Sequence, residues 1–328
     1  MAKAEKVVLS PEEKALAKEK KWAQIKRDKW MYLLLLPGFL YFIIFKIVPM
    51  WGVLIAFKDY YAGLPFFGKG LTQNWIGFDN FINFLTDSSF TQLLRNTLII
   101  SFMNLVFYFP LPIVLALLLN EIKVQWYKKL LQTLVYVPHF VSMVVIASIT
   151  FMLVKTPSME GQSGGALFEI IKSLTGKNLN ALGSPVAIYW VLLIQNIWKE
   201  TGWGTIIFLA ALAGVDVEQY EAAIVDGANR FQQLIYITLP AILGTIVTMF
   251  ILRMGSVLDT GFEQIILMQN ELNRNASETF DTYVYQIGRV QGNYGYSTAV
   301  GLFKSIISII CIQTANRLAK KAGQDGLF

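Results

Sequence analysis

Two groups of residues in this chain could do chemistry, and neither has the spacing of a catalytic centre. The first lies in EQYEAAIVDGANRFQQLIYITLP, Glu218 to Pro240. Between long apolar runs it gathers Glu221, Asp226, Asn229, Arg230, Gln232 and Gln233, with the small residues Ala222, Ala223 and Gly227 among them. Charges flanking a knob of small side chains suit insertion into a groove on another protein. The second group is a set of charges inside or at the ends of apolar runs: Lys46, Arg95, Lys199, Glu200, Arg253, Asp259, Glu263 and Lys304. Each would cost roughly 2.5–3.5 kcal/mol facing lipid at a helix centre, so these groups should face a bundle or an aqueous path. Ion pairing between helices explains any one of them at least as well, Arg253 with Asp259 or Glu263 for example, or Lys199 with Glu200.

Other chemistries are poorly supplied. His139 is the only histidine, which removes most metal sites and any histidine-based triad. It follows Pro138 and reads as a packing residue in a proline-broken helix. Cys311 is the only cysteine, so no internal disulfide forms. Gly63 to Lys69 has the glycine and lysine spacing of a phosphate-binding loop, but Gly70 stands where a magnesium-binding Ser or Thr is needed. No nucleotide is expected on this chain.

The elements that position these residues are set by hydropathy. Of 328 residues 55% are hydrophobic and only 15% charged, which makes lipid the expected solvent for much of the chain. Six runs are long enough to cross a hydrocarbon core of ~30 Å as helix: Trp30–Phe57, Leu93–Leu119, Leu131–Val154, Pro185–Leu212, Ala241–Leu258 and Ser297–Ala315. Pro37, Pro49, Pro110, Pro112 and Pro138 should kink them. Gly202 and Gly204 beside Lys199-Glu200 suggest a break or polar step within the fourth span. The net charge of +6 is topological: sixteen Lys/Arg flank one side of the spans and seven the other. By the positive-inside rule both termini and the Glu218–Pro240 loop are cytoplasmic. Nucleic acid is not an expected partner. The loops Lys155–Gly183 and Gly261–Tyr296 then face outward and are candidates for meeting a soluble partner.

Local signals refine this frame. Ser10-Pro11-Glu12-Glu13 reads as a helix start, so residues 1–29 form a basic cytoplasmic helix, 30–317 the six-span body and 318–328 a cytoplasmic tail. Trp126-Tyr127 beside Lys128 and Lys129 reads as an interfacial anchor. Asp216-Val-Glu-Gln219 resembles a capping box opening a helix from about Val217 to Asp226, with Gly227 ending it in the left-handed conformation. Tyr220, Ala223, Ile224 and Gly227 are expected to share one face. Asn229 can cap a second helix leading into the fifth span.

Glu221-Ala222-Ala223, then Gly227, then Ile237-x-Leu239-Pro240 resembles the EAA signature of permease subunits of binding-protein-dependent ABC importers. Further stretches, such as LVYVPHFVSMVV (Leu134–Val145) and NIWKETGWGTIIFLAAL (Asn196–Leu212), look like the carbohydrate-importing branch, including permeases for alginate-like polysaccharides. The resemblance covers nearly all of the chain from Trp30 and implies an all-α, polytopic fold of the type I importer permease class. It implies that loop 214–240 is a coupling element seated in a cytoplasmic ATPase through Glu221, Ala222, Ala223, Asp226, Gly227 and Arg230. The implied partners are a second, different permease, two ATPases carrying ATP and magnesium, an external solute-binding protein and an oligo- or polysaccharide. No cofactor and no catalysis are expected on this chain. Asn196, Trp198, Lys199, Glu200, Trp203, Arg253, Asp259, Glu263 and Lys304 then become candidates for the sugar path, and the excess of bases over acids among the membrane charges favours an acidic sugar. The loop after the third span is shorter than in maltose-type larger subunits. Two other classes remain: a proton-coupled sugar carrier using Glu263, Asp259 or His139, and a membrane enzyme acting on a lipid-linked sugar, which would need a carboxylate pair or metal site.

Overall fold

The computed structural model describes residues 23–24, 26–65, 74–157, 163–178 and 180–328. The expected helix start at Ser10 and most of the phosphate-loop look-alike, from Phe66 to Gly70, lie outside the described residues. Among the described residues four helices are long and apolar enough to cross a membrane: Lys29–Phe57, Ser88–Asn120, Arg230–Gly255 and Tyr294–Lys321. Two bent pairs raise the number to six if each counts as one span. Among the described residues the only β-type pairings are isolated bridges, Lys58 with Trp75 and Tyr61 with Asn293. The chain divides into two units, one ending at Leu54 and the other running from Ile55 to Phe328.

Prolines shape the spans by widening them. The first helix, α1 (Lys29–Phe42), passes into a π-turn at Ile43–Ile47 just ahead of Pro49. In the second span α2 (Ser88–Met103) passes through a π-turn at Asn104–Tyr108 into α3 (Pro110–Asn120). In the fifth, α4 (Arg230–Gln233) passes through a π-turn at Leu234–Thr238 into α5 (Leu239–Gly255), which carries Pro240. A proline ring clashes with the carbonyl four residues back, and a wider turn relieves that clash without ending the helix.

The third span is broken more sharply than a kink. Helix α6 (Gln125–Tyr136) runs through a 3₁₀ turn at Val137–Phe140, and α7 (Met143–Val154) leaves at 96°. Pro138 lies within that turn, and the Ser142 hydroxyl caps the new helix by accepting from Val145 N. The fourth span, α8 (Ala187–Ala213), is one continuous helix. The expected break at Gly202 and Gly204 does not occur, because both glycines serve close packing. A Cβ on Gly202 would collide with the Val135 carbonyl oxygen, and one on Gly204 would stand 3.0 Å from Pro112 Cγ.

The segment between the last two spans is not the open loop expected at Gly261–Tyr296. It folds into short helices, α9 (Phe262–Met268), α10 (Arg274–Ser277) and α11 (Phe280–Tyr285), whose Asn273, Ser277, Thr279, Phe280 and Thr282 are buried. Buried backbone carbonyls need donors, and asparagines provide them. Asn273 Nδ2 donates to Leu182 O at 2.8 Å and Met268 O at 3.0 Å, while fully buried Asn96 donates to Asn275 O and Glu278 O, both at 2.9 Å. Phe84, Leu93, Phe280 and Val300 pack the same end. The last helix, α12 (Tyr294–Lys321), runs into the tail expected from residue 318.

Candidate functional site: an exposed hairpin and a polar bundle interior

The hairpin after the fourth span is built for rigidity. Asp216 caps α13 (Val217–Val225), accepting from Glu218 N at 3.0 Å rather than closing a box with Gln219. Gly227 has φ +79°, Ala228 N donates to Ala223 O at 2.9 Å, and Gly227 N donates to Ile224 O at 3.0 Å. This pair of bonds is the Schellman ending that a left-handed glycine permits. Asn229 and Gln232 then form a reciprocal capping box that starts α4, with bonds of 2.9 and 2.8 Å. Helix α13 leaves α8 at 69°.

One side of this hairpin faces the chain and the other faces solvent. Tyr220 and Ala223 are half-buried, and the Tyr220 hydroxyl hydrogen-bonds Thr238 Oγ1 at 3.0 Å, joining α13 to the π-turn of the fifth span. The expected face of Tyr220, Ala223, Ile224 and Gly227 is therefore split, because the tyrosine hydroxyl finds its partner inward. Exposed instead are Glu221, Ala222, Ile224, Asp226, Gly227 and Val225, the last at 87%. Arg230 lies 3.9 Å from Glu121, in the turn between spans two and three. Both side chains are open to solvent, so the pair adds little stability. It does put the two turns on the same end of the bundle.

The candidate path residues separate into distinct settings. Lys199 Nζ donates to His139 O at 2.6 Å and Val141 O at 2.8 Å, carbonyls freed by the break in span three. Glu200 lies 2.8 Å from His139 Nδ1 and 3.9 Å from Lys199, and Trp203 stacks on the His139 ring. The expected Lys199–Glu200 pairing is thus the weaker part of a clamp on a neighbouring helix. Asn196 donates to Asn104 Oδ1 at 2.6 Å, in the π-turn of the second span. Trp198 lines an apolar cleft with Leu111, Leu115, Leu134 and Pro138. Glu263 is exposed near the start of α9.

The last setting corrects the expected pairing of Arg253. Asp259 turns to Lys304, 2.5 Å away, and Lys304 also binds Asp281 on α11. Lys304, the most enclosed of the three, thereby ties the turn after span five to α11 and to span six. Arg253 instead lines a cavity with Tyr108, Gly204 and Ser256. The sequence reading missed Asp281, Asn96, Asn104 and Tyr108. Lys304 alone in an apolar run signalled that an acid had to exist, but Asp281 lies in a segment with no periodic pattern to place it. At α10, Arg274 is paired with Glu278 at 2.9 Å, which raises its pKa further through the hydrogen bond and the carboxylate charge.

A helical bundle with buried polar junctions and a rigid, exposed hairpin at one end defines a polytopic membrane protein. The chain belongs to the family of binding-protein-dependent transport system inner membrane components, whose pattern covers residues 109–323. It is 54% identical to protein LplB of Bacillus subtilis (strain 168), over 93% of each chain. It is 46% identical to the polygalacturonan/rhamnogalacturonan transport system permease protein YteP of the same organism, over 92% of this chain and 91% of that one. A subunit in the crystal structure of a bacterial alginate ABC transporter, in complex with an alginate pentasaccharide-bound periplasmic protein, superposes with a TM-score of 0.82. That subunit is 33% identical, over 93% of this chain and 99% of its own. The fold is accordingly the all-α ABC importer permease, as the EAA signature implied.

Proposed function

We propose that this chain is one of two different permeases of an ATP-driven importer for an acidic oligosaccharide. Two ATPases carrying ATP and magnesium and an external solute-binding protein complete the complex. One observation carries the coupling role: α13 is capped at both ends, yet turns Glu221, Ala222, Ile224, Val225 and Asp226 to solvent. A rigid helix with small and charged exposed residues fits a cleft in a partner, and rigidity lets it transmit displacement. The distribution of Lys and Arg supports placing the hairpin, residues 1–29 and residues 318–328 on the cytoplasmic side.

The mechanism follows from how the hairpin is attached. Closure of the ATPases displaces α13, and the Tyr220–Thr238 bond carries that displacement to span five while the short turn joining α13 to α8 carries it to span four. Those spans bound the polar interior, so their movement exposes it alternately to either side. The chain itself moves no phosphoryl group. Polygalacturonan/rhamnogalacturonan and alginate, in the names of its relatives, support an acidic substrate. The complete complex in vesicles, supplied with ATP, will accumulate labelled oligogalacturonate. An Ala222→Cys variant will cross-link to the ATPase. Accumulation without ATPase subunits would sink this reading.

A further inference from the structure

Arg253 is a cation in a membrane span with no anion on it. It lies in the last turn of α5, partly buried, and among the described residues no side chain or carbonyl accepts from its guanidinium. Asp259, the nearest acid in sequence, is engaged by Lys304 at 2.5 Å. A guanidinium does not deprotonate to escape burial, and its planar fork matches a carboxylate with two parallel bonds. It faces a cavity of about 240 Å³ between spans two, four and five. Tyr108 lines the same cavity, its hydroxyl free of hydrogen bonds among the described residues. Gly204 lines the cavity too, its missing side chain letting spans two and four close at Pro112 beside that hydroxyl. Phe208 and Met249 form apolar walls and Ser256 a further polar group. Whole-ligand pockets run to about 300–1,000 Å³, so this cavity suits one ring of a longer chain at a time.

Resting on the import reading above, we propose that Arg253 selects for the carboxylate of a uronic acid unit as it passes, with the Tyr108 hydroxyl holding the same ring. The complete complex in proteoliposomes tests this with two trisaccharides, trigalacturonate and its carboxyl-reduced neutral form. The binding protein is the same throughout, so a change in their uptake ratio belongs to the permease. Arg253→Gln should lower acidic uptake relative to neutral about 10- to 100-fold, the scale of a lost charged hydrogen-bonded pair. If that variant does not assemble, Arg253→Lys should raise the KM for the acidic sugar several-fold and leave the neutral sugar unchanged. An unaltered ratio, or equal loss of both sugars, overturns the selector alone. A wild-type complex that carries only the neutral sugar overturns the acidic substrate class as well.

Discussion

Trp203 lies flat on His139, with ring centroids 4.4 Å apart and planes 4° from parallel. The pair joins the unbroken fourth span to the third span where that span breaks. Around it Lys199 takes two carbonyls, Glu200 takes the imidazole, and Gly202 admits the Val135 carbonyl. A break inside a membrane span exposes backbone groups that lipid cannot satisfy, and this face of α8 satisfies them.

Lys199→Met should therefore destabilise the bundle by about 1–3 kcal/mol for each orphaned carbonyl. Thermal unfolding in detergent will show a lowered midpoint, while Lys199→Arg keeps more of it. An unchanged midpoint for the methionine variant would refute the clamp.

Gly202→Leu tests the close approach separately. The obstacle is a backbone carbonyl, which cannot rotate aside, so spans three and four must part. Overpacking of this kind costs about 1–3 kcal/mol or more, and the purified chain should lose thermal stability and aggregate. Gly38→Leu, where a Cβ meets nothing within 4 Å, is the matched control.

At the hairpin the expected effect is on coupling. A Cβ on Gly227 meets nothing within 4 Å, but φ +79° costs an L-residue about 1–2 kcal/mol. Gly227→Asp should undo the end of α13 and reduce ATP-driven uptake more than ten-fold (on the order of 1.4 kcal/mol or more), with the chain still inserted in the membrane. Ala222→Trp should act likewise by refusing the partner's groove. Normal uptake in both would refute the docking role.

Lys304 offers a test of the bundle's other polar junction. Breaking a buried ion pair costs about 3–5 kcal/mol, because the remaining charge stays enclosed. Lys304→Met should therefore be far more damaging than Asp259→Asn, since Asp259 is 62% exposed and Asp281 only 23%. Comparing the yields of folded protein in detergent will rank them, and equal yields would deny the junction its role. Replacing Lys304 and Asp281 together by apolar residues should recover part of the loss.

Much of this protein was legible in its sequence, for local reasons. Lipid demands about twenty apolar residues per helix, so the spans could be counted from hydropathy. Caps and left-handed glycines act over three to five residues, so the Asp216, Gly227 and Asn229 signals predicted where the two helices of the hairpin start and stop. The EAA spacing identified the family before any coordinates. Partner choice was a different matter. Asp259 precedes Lys304 by 45 residues and Asp281 precedes it by 23, and only packing decides which acid meets which base. The same holds for Lys199, whose adjacent Glu200 proved a lesser partner than two carbonyls some 60 residues earlier. Hydropathy assigns a residue to membrane or water by its transfer cost. Hydrogen bonds and ion pairs depend on angstrom-scale approach between distant segments, and that was decided only when the helices closed on one another.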